Sequence, residues 1–146
     1  AKYFKRIPKI IIVEPDRADC VLQSIKSHKL KKIKIKKESI MGGMSCNEMS
    51  YIPWQILKKA SNYCVSVSDR NVAKTVALLK DKKLSKNSII GGECSTPGII
   101  SLISVCNNSK TKKLIELNEK SNVLIIGCEG NADVKLYKQL LSKGRK

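Results

Sequence analysis

Runs of apolar residues mark three strands along the chain. Val123-Leu124-Ile125-Ile126 is four apolar residues in succession, the pattern of a strand buried on both faces. It breaks at Gly127 into the short turn Cys128-Glu129-Gly130-Asn131. Asp133 then opens an amphipathic segment with Val134, Tyr137, Leu140 and Leu141 on one side. Lys9–Val13 reads as a second strand, closed by Glu14-Pro15 because Pro15 has no ladder donor. Tyr63–Val67 is a third.

Between the strands the apolar spacing changes to that of helices. Asp16 is placed to cap a helix with Asp19 in its first turn and Ala18, Val21, Leu22 and Ile25 on one face. Ser50–Asn62 is a second helix, with Pro53 in its first turn and Trp54, Leu57 and Ala60 sharing a face. Ser68 caps a third over Asp69–Lys80, striped by Val72, Val76 and Leu79. Thr96-Pro97 starts a fourth running to Asn107, and Lys110–Glu119 reads as a fifth. Within the basic connector Lys26–Lys37, Ile33 and Ile35 alternate with lysine, which leaves a short edge strand open. Asp81–Ser88 is a lysine-rich surface loop. Alternation of strand and helix predicts an α/β fold with a mostly parallel sheet and flanking helices. Three strong strands are few for a self-sufficient sheet. With an opening almost directly on a strand, they lead us to expect a segment of a longer domain.

Three loops stand out. Glu38–Asn47 carries the pair Gly42-Gly43, which admits either a close approach to a flat ligand or an ordinary turn. Ser88–Gly98 places two glycines before Glu93, a carboxylate suited to orient a ligand, to work as an acid or base, or to partner a helix dipole. The third is Gly127–Asn131 at the end of the last strand. Ligands of open α/β sheets sit outside the carboxyl ends of strands.

Composition narrows the classes. The 146 residues carry a net charge of +17 and are 42% hydrophobic, enough for one domain with a core. No apolar run approaches the about 18 residues of a membrane span. The basic stretch Ala1–Pro8 lacks the apolar core of a signal peptide. Lysines are spread over nearly every helix, arginine is rare and aromatics are 4%, which argues against a nucleic-acid reader. The six cysteines have neither C-x-x-C spacing nor a nearby histidine, so no zinc site is expected, and free thiols in apolar runs fit a reduced, cytoplasmic compartment.

The ordered motifs resemble those of fold-type-II pyridoxal-phosphate enzymes, in the diaminopropionate ammonia-lyase branch related to threonine dehydratase. They are Ile12–Cys20, Ser39–Glu48, Trp54–Leu57, Val65–Asp69, Gly91–Cys94 and Cys128–Asn131. The resemblance spans nearly the whole chain and implies the C-terminal segment of a lyase domain. By it, Gly42 and Gly43 lie along the cofactor, Glu93 faces its ring, and Cys128 takes the place of the small residue beside the pyridine nitrogen. The implied reaction eliminates ammonia from 2,3-diaminopropionate, leaving pyruvate and a second ammonia. The implied cofactor is pyridoxal 5'-phosphate. The implied partners are a small amino-acid substrate, the remainder of the enzyme and, in the complete enzyme, a second copy in a homodimer. The family's Schiff-base lysine motif, phosphate loop and general-base aspartates lie upstream of these motifs, and no lysine here stands in a matching context. The chain alone is therefore expected to have no catalytic residues of its own. A threonine or serine dehydratase fragment, or a non-catalytic basic α/β binding module, is the alternative.

Overall fold

A computed structural model describes residues 7–146; most of the basic N-terminal stretch lies outside the described residues. Two strands, β1 (Ile11–Pro15) and β2 (Tyr63–Val67), pair in parallel in the register Ile11↔Tyr63 through Pro15↔Val67. Two helices, α1 (Cys20–Ser27) and α2 (Tyr51–Ala60), carry the chain from one strand to the other. The β1 strand starts and ends two residues later than the apolar run suggests. Pro15 needs no donor as the last pair, and Asp16 N–H continues the ladder to Val67 O at 2.9 Å.

Glu14 decides how α1 begins. Its buried carboxylate accepts the N–H groups of Val21 at 2.9 Å and Leu22 at 2.8 Å, satisfying donors that every helix N-terminus leaves open. The N-cap residue is Asp19, and its side chain makes no cap hydrogen bond; Asp16, expected to cap, precedes it. A carboxylate at the end of β1 thus does the capping, and it welds strand to helix. The most buried side of α1 is Cys20 and Ser24, not the Val21, Leu22 and Ile25 stripe, which is only half-buried.

The centre of the molecule is α3 (Val72–Lys80), entered through a 3-10 turn at Asp69–Asn71. Ser68 accepts the N–H of Arg70, as its position predicts, and Val72, Val76 and Leu79 are all buried. Val72 and Val76 form one core with Met41, Val67, Cys94, Ile100, Tyr137 and Leu140. Helix α4 (Pro97–Cys106), with Pro97 in its first turn, packs on both strands. Helix α6 (Val134–Gly144) packs along α3, its first turn held by Asp133 accepting Leu136 N–H at 2.8 Å. At its far end, a Cβ on Gly144 would stand 2.0 Å from Ala73 O, so only glycine lets α6 come this close. Among the described residues, no helix is long and apolar enough to cross a membrane.

Three expectations are corrected. The fifth helix is α5 (Ser109–Leu114), shorter than Lys110–Glu119, because Glu116 turns left-handed at φ 61°. There Glu116 N–H reaches Lys113 O and Leu117 N–H reaches Lys112 O, a Schellman ending. No strand forms at Ile33–Ile35; Ile33 N–H instead bonds Asn47 O. Most consequentially, Val123–Ile126 is neither paired nor buried on both faces. Leu124 and Ile126 are 88% and 81% exposed, while Ile125 faces inward against Gly98. Among the described residues, no backbone–backbone hydrogen bond involves residues 122–128. The sheet therefore has two strands among the described residues, against the three or four that the apolar runs suggest.

Candidate functional site

Each of the three loops is fixed by polar contacts to a neighbouring element. The first is pinned by Asp69 at the entry to α3. Its carboxylate accepts Ser39 Oγ at 2.6 Å, Ile40 N–H at 3.1 Å and the Arg17 guanidinium at 2.6 Å. This seats Met41 fully in the core and leaves Gly42–Met44 as a 3-10 turn. In the second loop, Ile89 N–H reaches Leu79 O and Thr96 Oγ1 returns to Glu93 O, closing a 3-10 turn over Glu93–Ser95.

The third loop is clamped onto the second by Glu129. Its carboxylate accepts Cys94 N–H at 2.7 Å, and its backbone carbonyl accepts Gly92 N–H at 3.1 Å and the Ser95 hydroxyl. The Glu129 N–H returns to Ser95 Oγ at 3.1 Å. A Cβ on Gly92 would fall 2.2 Å from Gly130 O, so the contact requires glycine. The first loop closes on the same point: a Cβ on Gly43 would meet Cys94 Sγ at 3.4 Å.

The four residues singled out from sequence take distinct places here. Gly43 abuts the second loop through Cys94, and the space off Gly42 is open for 4 Å. Glu93 is half-buried, and burial pushes its carboxyl above the ordinary range, with the charges of Glu129 and Asp133 adding to the effect. Cys128 is exposed beside Glu129. Cys94 is buried, its thiol pushed up to about 11 by burial. The side chains of Glu93, Cys94 and Glu129 bring ligand atoms within 4.8 Å of one another, but the Glu129 carboxylate is already engaged by Cys94 N–H. Glu129 and Ser95 organise the junction, and neither declares that role in sequence. A side chain clamping the backbone 35 residues away has no periodic or local signature.

Pyridoxal phosphate, which the resemblance implies, fits such a wall. Gly42 and Gly130 leave open space where side chains would stand, an acid whose carboxyl is raised by burial lies on the second loop, and an exposed thiol lies on the third.

No family model matches the chain. Among curated proteins it is 31% identical over 138 residues to the diaminopropionate ammonia-lyase of Escherichia coli (strain K12), covering 92% of this chain and 35% of that protein. The Salmonella typhimurium (strain LT2) counterpart is 27% identical over 150 residues, 99% of this chain and 37% of that protein. The crystal structure of the Escherichia coli enzyme in complex with D-serine superposes with a TM-score of 0.80 at 29% identity, over 94% of this chain and 34% of that one. The chain is similar to diaminopropionate ammonia-lyase. It spans about a third of the length of the curated relatives it matches. The Escherichia coli diaminopropionate ammonia-lyase has also been solved with an aminoacrylate–PLP azomethine reaction intermediate (TM-score 0.78, 30% identity, 92% of this chain and 34% of that one). The T.th. threonine deaminase shares the fold at 16% identity, with a TM-score of 0.56 over 70% of this chain and 35% of that one.

Proposed function

We propose that residues 1–146 form the C-terminal segment of a pyridoxal-phosphate-dependent ammonia-lyase domain that removes ammonia from 2,3-diaminopropionate, giving pyruvate and a second ammonia. The observation that carries this reading is the meeting of three loops at Cys94, in a chain that superposes on diaminopropionate ammonia-lyase with a TM-score of 0.80.

In this reading the chain supplies one wall of the cofactor site. Gly42 and Gly43 lie along the ring; Gly42 leaves open space where a side chain would stand, and Gly43 lets the turn close on Cys94. Glu93 faces the ring from the second loop. Cys128 offers a thiol to the pyridine nitrogen, a neutral partner that favours ring protonation less than a carboxylate would. Elimination of a β-amino group tolerates such a partner, since it asks less carbanion stabilisation than transamination. Pyridoxal phosphate, when bound, supplies the electron sink for the carbon that loses its proton. The Glu129 clamp keeps the wall rigid, which holds a planar ligand in one orientation.

The same reading accounts for the bare apolar segment Val123–Ile126. Residues 122–128 have no ladder partner among the described residues, and Leu124 and Ile126 face outward. Backbone whose donors and acceptors lack a ladder partner is open to pairing with another segment. The remainder of the lyase fold supplies that segment and the Schiff-base lysine, and the complete enzyme pairs as a homodimer. The isolated chain then has no turnover.

The test is reconstitution. The chain is co-expressed with a polypeptide carrying the other two-thirds of a diaminopropionate ammonia-lyase, and 2-oxoacid formation is followed: pyruvate from 2,3-diaminopropionate and serine, 2-oxobutyrate from threonine. Pyruvate from 2,3-diaminopropionate in the complex, and none from the chain alone, is the expected result. Turnover of serine or threonine in its place would assign the chain to a dehydratase. Borohydride reduction of the isolated chain with pyridoxal phosphate should give no stoichiometric adduct; modification of a single lysine would overturn the assignment.

A further inference from the structure

The feature left over by this reading is a cleft of ≈ 530 Å³ between the start of α1 and residues 31–37, apart from the three-loop junction. Five lysines line it: Lys31, Lys32, Lys34, Lys36 and Lys37. These five belong to the basic connector Lys26–Lys37, and the fold sets them against the start of α1 about one concavity. Ile33 and Ile35 stand between them and are half-buried, while all five lysines are exposed.

The strip is a fixed surface. Lys31 N–H bonds the hydroxyl of buried Ser24 at 2.9 Å, Ile33 N–H bonds Asn47 O at 2.8 Å, and the Arg17 guanidinium holds Glu38 O at 3.1 Å. Arg17 also lines the cleft, but Asp69 neutralises it at 2.6 Å. Asp16 and Asp19 stand on the α1 side, and Asp19 accepts Gln23 Nε2 at 2.8 Å. Five lysines against two carboxylates leave the concavity strongly positive. Only Lys32 has an acidic partner, Glu48 at 3.9 Å, among the described residues. Lysines are point charges suited to phosphate oxygens and indifferent to what the phosphate is attached to. Among the described residues, no aromatic side chain lines the cleft on which a base could stack. Its size falls within the about 300–1,000 Å³ of small-ligand sites.

We propose that this cleft binds a linear oligophosphate chain, free or carried by a nucleotide, through Lys31, Lys34, Lys36 and Lys37. The proposal stands independently of the lyase assignment, since none of Gly42, Gly43, Glu93 and Cys128 lines the cleft and the cofactor does not enter it.

The test is calorimetric titration of the full chain with tripolyphosphate, ATP, AMP, sulfate and a single-stranded oligoribonucleotide, at about 0.15 M salt, where the screening length is about 8 Å. Two variants of equal net charge separate site from bulk charge: Lys34→Glu/Lys36→Glu/Lys37→Glu in the cleft and Lys110→Glu/Lys112→Glu/Lys113→Glu on α5. Circular dichroism verifies that both remain folded, and Lys34→Gln/Lys36→Gln against Lys110→Gln/Lys112→Gln replaces the pair if either does not. Expected are tripolyphosphate and ATP binding alike, much weaker AMP and sulfate binding, and at least about tenfold weaker tripolyphosphate binding in the cleft variant alone. Equal losses in the two variants, no binding of tripolyphosphate, a large preference for ATP, or binding of the oligoribonucleotide alone would each overturn it.

Discussion

The carboxylate of Glu129 accepts the backbone N–H of Cys94 at 2.7 Å, joining two loops that lie 35 residues apart. With Ser95 answering to the Glu129 backbone in both directions, the joint has the character of a small polar lock. The Glu129→Ala variant leaves the Cys94 N–H without its acceptor. A stability loss of about 1–3 kcal/mol is expected by denaturant titration. Glu129→Gln keeps an acceptor oxygen in place and should lose markedly less. Equal stability of Glu129→Ala and the parent would mean that the lock does not hold the loops.

Glycine substitutions distinguish the two faces of the same junction. At Gly92 an added Cβ would meet Gly130 O at 2.2 Å, so Gly92→Ala must push the third loop away and lower the melting temperature. At Gly42 nothing lies within 4 Å, and Gly42→Ala should melt with the parent. If Gly42 lies along the cofactor, the same substitution in the reconstituted lyase should weaken pyridoxal-phosphate affinity, read by absorbance titration. Unchanged affinity would remove Gly42 from the site.

Thiol labelling should divide the cysteines into two classes. Cys46, Cys106 and Cys128 are exposed, whereas Cys20 and Cys94 are buried and Cys64 is half-buried. Burial pushes Cys20 and Cys94 up to about 11 and Cys64 up to about 12, and only the thiolate is reactive. Iodoacetamide at about pH 8 should modify the three exposed thiols of the folded chain, and all six in denaturant. Peptide mass spectrometry reads the sites. Rapid native labelling of Cys94 would show the junction to be open.

Glu14 should leave a mark on stability against pH. Burial raises its carboxyl above the usual 4.5 despite the N–H groups of Val21 and Leu22. The folded protein therefore keeps a proton that the unfolded chain has released, and stability falls as pH rises from about 4.5 through the raised value. Glu93, also raised by burial, acts in the same sense. Asp81 and Glu116 are held below the ordinary range by hydrogen bonds from Arg145 and Lys9, so they act in the opposite sense, at lower pH. Denaturant titrations of Glu14→Gln across this window should show a shallower decline than the parent. A decline as steep as the parent's would place the proton elsewhere.

Much of this molecule is written in short-range pattern. Tyr63–Val67, the Ser68 cap, the Val72–Val76–Leu79 stripe, Pro97 and the Asp133 cap are each decided by neighbours within a turn or two, so their outcome matches their spacing. The loop motifs were equally legible as a series, because their order along the chain is itself sequence. What local pattern could not decide is which distant groups meet. Glu14 rather than Asp16 caps α1, since the choice depends on where β1 ends in space. Val123–Ile126 has the composition of a buried strand, yet burial requires a neighbour, and among the described residues none pairs with it. The lysines of residues 31–37 converge on a cleft only because Ser24, Asn47 and Arg17 hold that strip against α1. Propensity and periodicity act over a few residues and so are carried by the chain itself. Hydrogen bonds and charges act through space, between residues whose separation only the folded backbone sets.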